Sequence, residues 1–165
     1  MTGFSFRVYR GQKSWFGQMT VSAPSLRTNF GHDPGILTEQ LLLMLGGLVS
    51  RTRSGEVGAR GFLENKLLYL QQTRHESPFV SCSHEWSIAQ SFALYGNTPG
   101  YVLTISGDPA SGFDFEELRN SYSLFGDTVS HLKEFGVPRR LGSPFVVECV
   151  DLVAPFGQPA VRVKP

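Results

Sequence analysis

Three stretches of this chain place residues that can do chemistry at the edges of predicted strands. The run from Ser77 through Ser81-Cys82-Ser83-His84-Glu85-Trp86 to Ala93 has the pattern of a short strand feeding a helix. Phe79 and Val80 suit a pleated segment, Ser83 can accept the first free N–H groups of a helix, and Trp86, Ala89, Gln90 and Ala93 follow at helical spacing. Hydroxyls at that junction sit where backbone N–H groups converge, which suits an anionic ligand or, more plainly, turn and capping chemistry. Phe4 to Arg10 alternates like a strand and ends in an arginine followed by Gly11, where backbone can approach a ligand closely. Val129 to Pro138 sets one carboxylate, Glu134, at the mouth of a further strand. A guanidinium can grip phosphates through two parallel hydrogen bonds. A carboxylate beside a sugar can stabilise an oxocarbenium-like state, and a small hydroxyl between the two can orient it. The plain alternatives are a surface salt-bridge role for Arg10 and a solvated strand-start role for Glu134, with Glu116, Glu117 and Glu148 as rival carboxylates.

The elements that must position these groups follow in order. After the first strand, Gln12 to Pro34 is rich in Gly, Ser, Asn and Pro and reads as a long loop able to close over a ligand. Within it Trp15, Phe16 and Phe30 could cover that ligand or plug a small core. Asp33-Pro34-Gly35 ends the loop, and Thr38 is expected to cap a helix with Leu41, Leu42, Leu45 and Leu48 on one face, weakened by Gly46-Gly47. Arg51 to Gly61 reads as a polar hinge, and Phe62 to Thr73 as a second helix with core leucines at 63, 67 and 70. Tyr101 to Ile105 is the clearest strand; Phe113 to Phe115 resumes briefly before a short helix over 116–120. Strands over 134–137 and 145–153 follow, with an edge strand over 160–164. Helices early and strands late predict an α+β domain spanning residues 1–165, with a mostly antiparallel, two-layered β core.

Composition narrows the function classes. The 165 residues are 41% hydrophobic and 18% charged, enough for one ordinary core. A formal net charge of +1 gives no overall electrostatic case for nucleic acid. Local basic groups remain in Arg51, Arg53 and Arg60 and in Arg139 and Arg140. No apolar run reaches the roughly 20 residues that span a bilayer. Met1-Thr2-Gly3-Phe4 lacks the basic and apolar regions of a secretory signal, which fits a domain cut from or delivered by something larger. Cys82 and Cys149 read as packed thiols, and the scattered His32, His75, His84 and His131 support no metal site.

An arginine, a serine and a glutamate, each at a strand edge and in that chain order, resemble the arginine–serine–glutamate group of ADP-ribosyltransferases, which includes the cholera and heat-labile enterotoxin catalytic subunits and many bacterial effector domains. Tyr9-Arg10-Gly11 is similar to that group's first-strand arginine motif. Phe79-Val80-Ser81-Cys82-Ser83 is similar to its aromatic-x-Ser-Thr-Ser motif with cysteine in the middle. The segments over 101–106 and 112–115 resemble the strands before its acceptor loop, and Glu134-Phe135 with Pro138 and Leu141 resembles the stretch around its catalytic glutamate.

The resemblance implies a split pair of antiparallel sheets with flanking helices around an NAD cleft. Arg10, Gly11, Ser81, Ser83 and Phe92 would hold NAD as substrate, Ser81 would orient it, and Glu134 would stabilise the ribosyl cation. Nicotinamide leaves as a neutral molecule from a cationic parent, so no strong acid is required. Members that modify arginine usually carry a second Glu two residues before the catalytic one; this chain has Leu132 there, which turns the expectation away from arginine. His131, Leu132 and Arg139 are the expected acceptor contacts, and the acceptor is a protein side chain or RNA reached through the basic groups. The implied setting is a secreted or delivered effector acting in a target-cell cytoplasm, with a dedicated inhibitor protein and no membrane partner. An NAD glycohydrolase and a catalytically silent binding module are the alternatives.

Overall fold

A computed structural model describes residues 6–27, 33–124 and 133–165. The order is β1 (Arg7–Gln12), α1 (Pro24–Arg27), α2 (Pro34–Arg53), α3 (Ala59–Gln72), β2 (Phe79–Ser83), α4 (Trp86–Ala93), β3 (Gly100–Ser106), β4 (Phe113–Asp114), α5 (Phe115–Tyr122), β5 (Glu134–Pro138), β6 (Val146–Val153) and β7 (Val161–Val163). Among the described residues seven strands lie in one sheet in the order β4-β5-β2-β1-β3-β6-β7, with each neighbouring pair antiparallel. The α+β class expected from the sequence is therefore present, as one sheet with helices packed against it rather than a two-layered β core.

The sheet has a thin seam. β1 and β3 pair through six residue positions, and β2 and β5 through five. β1 and β2, in the middle of the sheet, pair through one, Tyr9 with Ser83. Beyond that pair the two central strands part, and the candidate residues sit beside the parting.

Alternation sorts the core. Val8, Val80, Cys82, Leu103, Ile105, Phe135, Val137 and Val150 form one buried cluster on the sheet. Phe79, one step from Val80, faces the other way and packs with Leu45, Leu63, Leu67, Leu70, Phe115 and Leu118 of the helices, as the two-residue period of a strand requires. Ala89 and Ala93 let α4 lie close against Val102 and Val153. Gly11 belongs to that contact: a Cβ there would come within 1.8 Å of the Ala89 carbonyl oxygen, so the residue is glycine because a helix backbone crosses it.

Several element boundaries differ from expectation for local reasons. Asp33, not Thr38, caps α2: its Oδ1 accepts from the N–H groups of Gly35 at 2.8 Å and Ile36 at 3.4 Å. Thr38 is fully buried inside the helix, where its hydroxyl meets that of Ser25 at 2.7 Å. The helix continues through Gly46-Gly47 to Arg53, held by Leu45 and Leu48 in the core. Part of the first long loop is packed down: Val21 and Ala23 are buried, the Leu141 N–H donates to the Val21 carbonyl, and the Ala23 N–H donates to that of Arg139. Trp15 packs against the sheet core and donates its Nε1–H to the Lys164 carbonyl at 3.2 Å, so it plugs a core rather than covering a ligand. Phe16 is exposed, and Phe30 lies outside the described residues. Among the described residues no helix is long and apolar enough to cross a membrane.

Candidate active site

β2 and β5 run antiparallel with Ser81 opposite Gly136 and Ser83 opposite Glu134. That register places Ser81 diagonal to Glu134, and its Oγ–H donates to Glu134 Oε2 at 2.9 Å. Glu134 opens β5 immediately after Lys133, whose backbone is left-handed at φ 45°. Lys133 is pinned twice: its carbonyl accepts the His84 N–H at 3.0 Å, and its Nζ donates to Glu85 Oε1 at 2.6 Å. The strand entrance that sets the carboxylate's position is thus tied to the β2–α4 corner.

Arg10 approaches from the other side of the seam. Its Nη1–H donates to the Ser81 carbonyl at 2.9 Å and its Nε–H to Gln12 Oε1 at 2.9 Å. Both acceptors are neutral, and among the described residues no ion pair involves Arg10. Burial lowers the pKa of this guanidinium from its ordinary value, and the nearby positive charge of Arg27 acts in the same direction. A cation held there on neutral oxygens makes the position attractive to an anion.

Two adjoining cavities meet at these groups. One, of about 170 Å³, lies toward α3 and is floored by Leu67, Leu70, Phe79 and Phe115. The other, of about 210 Å³, lies toward α4 and is bordered by Gly11, Ser83 and a half-exposed Phe92. Arg10, Arg74, Ser81 and Glu134 line both. Arg10, Ser81 and Glu134 therefore share one cleft, and Gly11, Ser83 and Phe92 stand on its border. Ser83 is itself nearly buried, and its Oγ accepts the Glu85 N–H at 3.1 Å, so it shapes the turn into α4.

The expected acceptor contacts fare differently. His131 and Leu132 lie outside the described residues. Arg139 is committed to Glu39 on α2 through Nε and through Nη2 at 2.7 Å. The basic groups do not form one free face. Arg53 pairs with Glu117 through two bonds of 3.0 and 2.8 Å, Arg60 donates to the carbonyls of Tyr122 and Ser123, and Arg51 lies 3.7 Å from Glu56. Glu39 and Arg53 are 14 residues apart on the helix α2, about 21 Å along its axis, so Arg139 and Arg53 belong to separate places.

Two site residues escape a reading of the sequence. Gln71, on the last turn of α3, donates from Nε2 to Glu134 Oε1 at 2.9 Å, and Arg74 donates from Nη2 to Gln71 Oε1 at 2.9 Å. The one available signal is that Gln71 follows Leu67 by four residues, on the helix face that points inward. Cys82 is free and buried beneath the site, its thiol pushed up to about 12 by burial, which leaves it a packing residue. Among the described residues no group of three or more His, Cys, Asp or Glu side chains could hold a metal ion. No family model matches the chain, and no curated protein matches it.

Proposed function

We propose that the chain is a mono-ADP-ribosyltransferase domain that transfers ADP-ribose from NAD to a macromolecular acceptor. The observation that carries the reading is the meeting of Arg10, Ser81 and Glu134, from three separate strands, at one cleft, with the Ser81 hydroxyl 2.9 Å from the Glu134 carboxylate. The thin β1–β2 seam supports it further, because it lets a mostly continuous sheet open into two halves around a ligand.

In this mechanism the C1′–N bond of the nicotinamide ribose breaks with its electron pair going to the pyridinium nitrogen, releasing neutral nicotinamide. The positive charge left on the ribosyl C1′–O4′ unit faces the Glu134 carboxylate, which stabilises it electrostatically. Ser81 fixes the carboxylate's orientation. Arg10 grips the pyrophosphate and positions the reacting carbon without taking part in bond breaking. An acceptor nucleophile then bonds to C1′ and gives up its proton to solvent water.

The acceptor is a protein side chain in this reading. Leu132 in place of a second carboxylate turns it away from arginine, and three of the five arginines expected to hold RNA phosphates, Arg139, Arg53 and Arg51, face Glu39, Glu117 and Glu56. The domain would act as a delivered effector in a target cell, with a cognate inhibitor protein seated in the cleft.

The test is incubation of the purified chain with labelled NAD and a whole-cell lysate, alongside Glu134→Ala, followed by separate fractionation of protein and RNA. Wild type should label protein, and Glu134→Ala should lose at least about 100-fold of that activity, the scale of removing a charge-stabilising group, while keeping its circular dichroism spectrum. Label in RNA would move the acceptor to nucleic acid, and nicotinamide release without label would make the chain a glycohydrolase. Turnover unchanged by Glu134→Ala would remove the catalytic assignment.

A further inference from the structure

We propose that Gln71 is a positioning residue for this reaction: its side-chain amide holds the second oxygen of Glu134, and Arg74 fixes which way that amide points. The inference rests on the transferase reading of the cleft.

The geometry leaves little freedom. Ser81 donates to Glu134 Oε2 and Gln71 donates to Oε1, each at 2.9 Å, so the two carboxylate oxygens are held from opposite sides, one from β2 and one from α3. An amide alone could present either its oxygen or its nitrogen to a partner. Arg74 removes that ambiguity. A guanidinium can only donate, so the 2.9 Å bond from Arg74 Nη2 requires Gln71 Oε1 on its side and leaves Nε2 facing Glu134. Leu67 and Leu70, both buried in the helix cluster, anchor the turn of α3 that carries Gln71.

The chemistry explains why the holder is an amide. A lysine or arginine at position 71 would also bind the carboxylate, but it would neutralise the charge that must face the ribosyl cation. Both donors to Glu134 are neutral, and among the described residues no ion pair involves it. The carboxylate is thereby oriented while its charge stays available for the transition state.

The experiment is steady-state nicotinamide release from NAD by wild type, Gln71→Leu and Gln71→Glu. Leu removes the donor and the polar link to Arg74. Glu keeps the length and can still accept from Arg74, but when ionised it has no hydrogen to give Glu134. Both variants should lose about tenfold or more in kcat, the rate equivalent of one hydrogen bond to a charged carboxylate, Gln71→Glu the more so because it sets a second carboxylate against Glu134, with KM for NAD within about twofold. A wild-type kcat in Gln71→Glu, or losses that fall on KM instead, would overturn the positioning role while leaving the transferase reading intact. A wild-type chain that releases no nicotinamide would overturn that reading and this inference with it. Thermal unfolding of both variants identifies any that fail to fold; if Gln71→Leu does, Gln71→Glu decides alone.

Discussion

Arg10 and Arg53 are the same side chain in opposite circumstances. Arg53 spends its planar fork on Glu117 through two bonds, side by side at a half-exposed surface, and hydrogen bonding to that carboxylate raises the guanidinium's pKa. Arg10 is drawn into the sheet's seam, among the described residues bonds to a carbonyl and an amide oxygen, and has its pKa lowered by burial. Holding a partly buried guanidinium on neutral oxygens is less favourable than pairing it, so Arg10 is a local liability in the free protein. The difference separates an arginine that ties helices together from one poised for an anion.

The largest effect that would break this comparison is expected from Arg10→Met. NAD turnover should fall about 100-fold, as expected for loss of a bidentate anchor, while the melting temperature stays equal to or above that of wild type, because a partly buried charge held only on neutral oxygens among the described residues has been removed. A melting temperature several degrees lower together with intact turnover would make Arg10 a structural residue. Gly11→Ala comes next and tests shape rather than charge. Its Cβ would strike the Ala89 carbonyl oxygen, and neither backbone can give way cheaply. Urea denaturation should show a loss of about 1–3 kcal/mol, the range for overpacking a close contact. An unchanged midpoint would mean that α4 does not press on β1 as described.

Asp114 sharpens the comparison from the acidic side. Burial, the largest single influence, pushes its pKa up, but the hydrogen bond from His84 Nε2 at 3.0 Å and the N–H groups at the start of α5 outweigh it and leave the pKa lowered. A carboxyl lowered in the folded state contributes stability that is complete above its unfolded pKa and is lost as pH falls through the folded one. Chemical denaturation across the acid range should therefore show a steeper loss for wild type than for Asp114→Asn; parallel curves would assign that acid sensitivity to other carboxylates. The smallest effect is expected from Arg53→Met: stability within about 1 kcal/mol of wild type, as for exposed ion pairs, and unchanged NAD turnover. A tenfold drop in turnover would place α2 and α5 in the site's mechanics.

Local pattern made much of this visible in the sequence and distance hid the rest. The alternation of Phe79-Val80-Ser81-Cys82-Ser83 and of Tyr101 to Ile105 marked strands because a pleat repeats every two residues, and Leu63, Leu67 and Leu70 marked a core helix by the same logic at helical period. Thr38 was plausible as a cap by residue type, but Asp33 lies where the free N–H groups are, which depends on where the helix begins. Gly11 next to an arginine suggested a ligand's approach, whereas what approaches is the backbone of α4, about 80 residues away in the chain. Arg139 and Glu39 are separated by 100 positions, and Gln71 and Glu134 by 63. Pairings of that kind have no local signature, so the basic groups looked free and Gln71 looked like a helix end.

The single pair joining β1 to β2 makes the sheet resemble calipers. Arg10 rides on one arm, and Ser81 with Glu134 on the other, and the arms are pinned by Tyr9 and Ser83 with the Arg10–Ser81 hydrogen bond as a light cross-tie. Opening or closing them disturbs one backbone pair and that cross-tie, whereas the same displacement between β1 and β3 would shear a ladder of six. A molecule that touches both arms therefore acts as a splint, and the gap it finds is set by one backbone pair at the pin rather than by the whole breadth of the sheet.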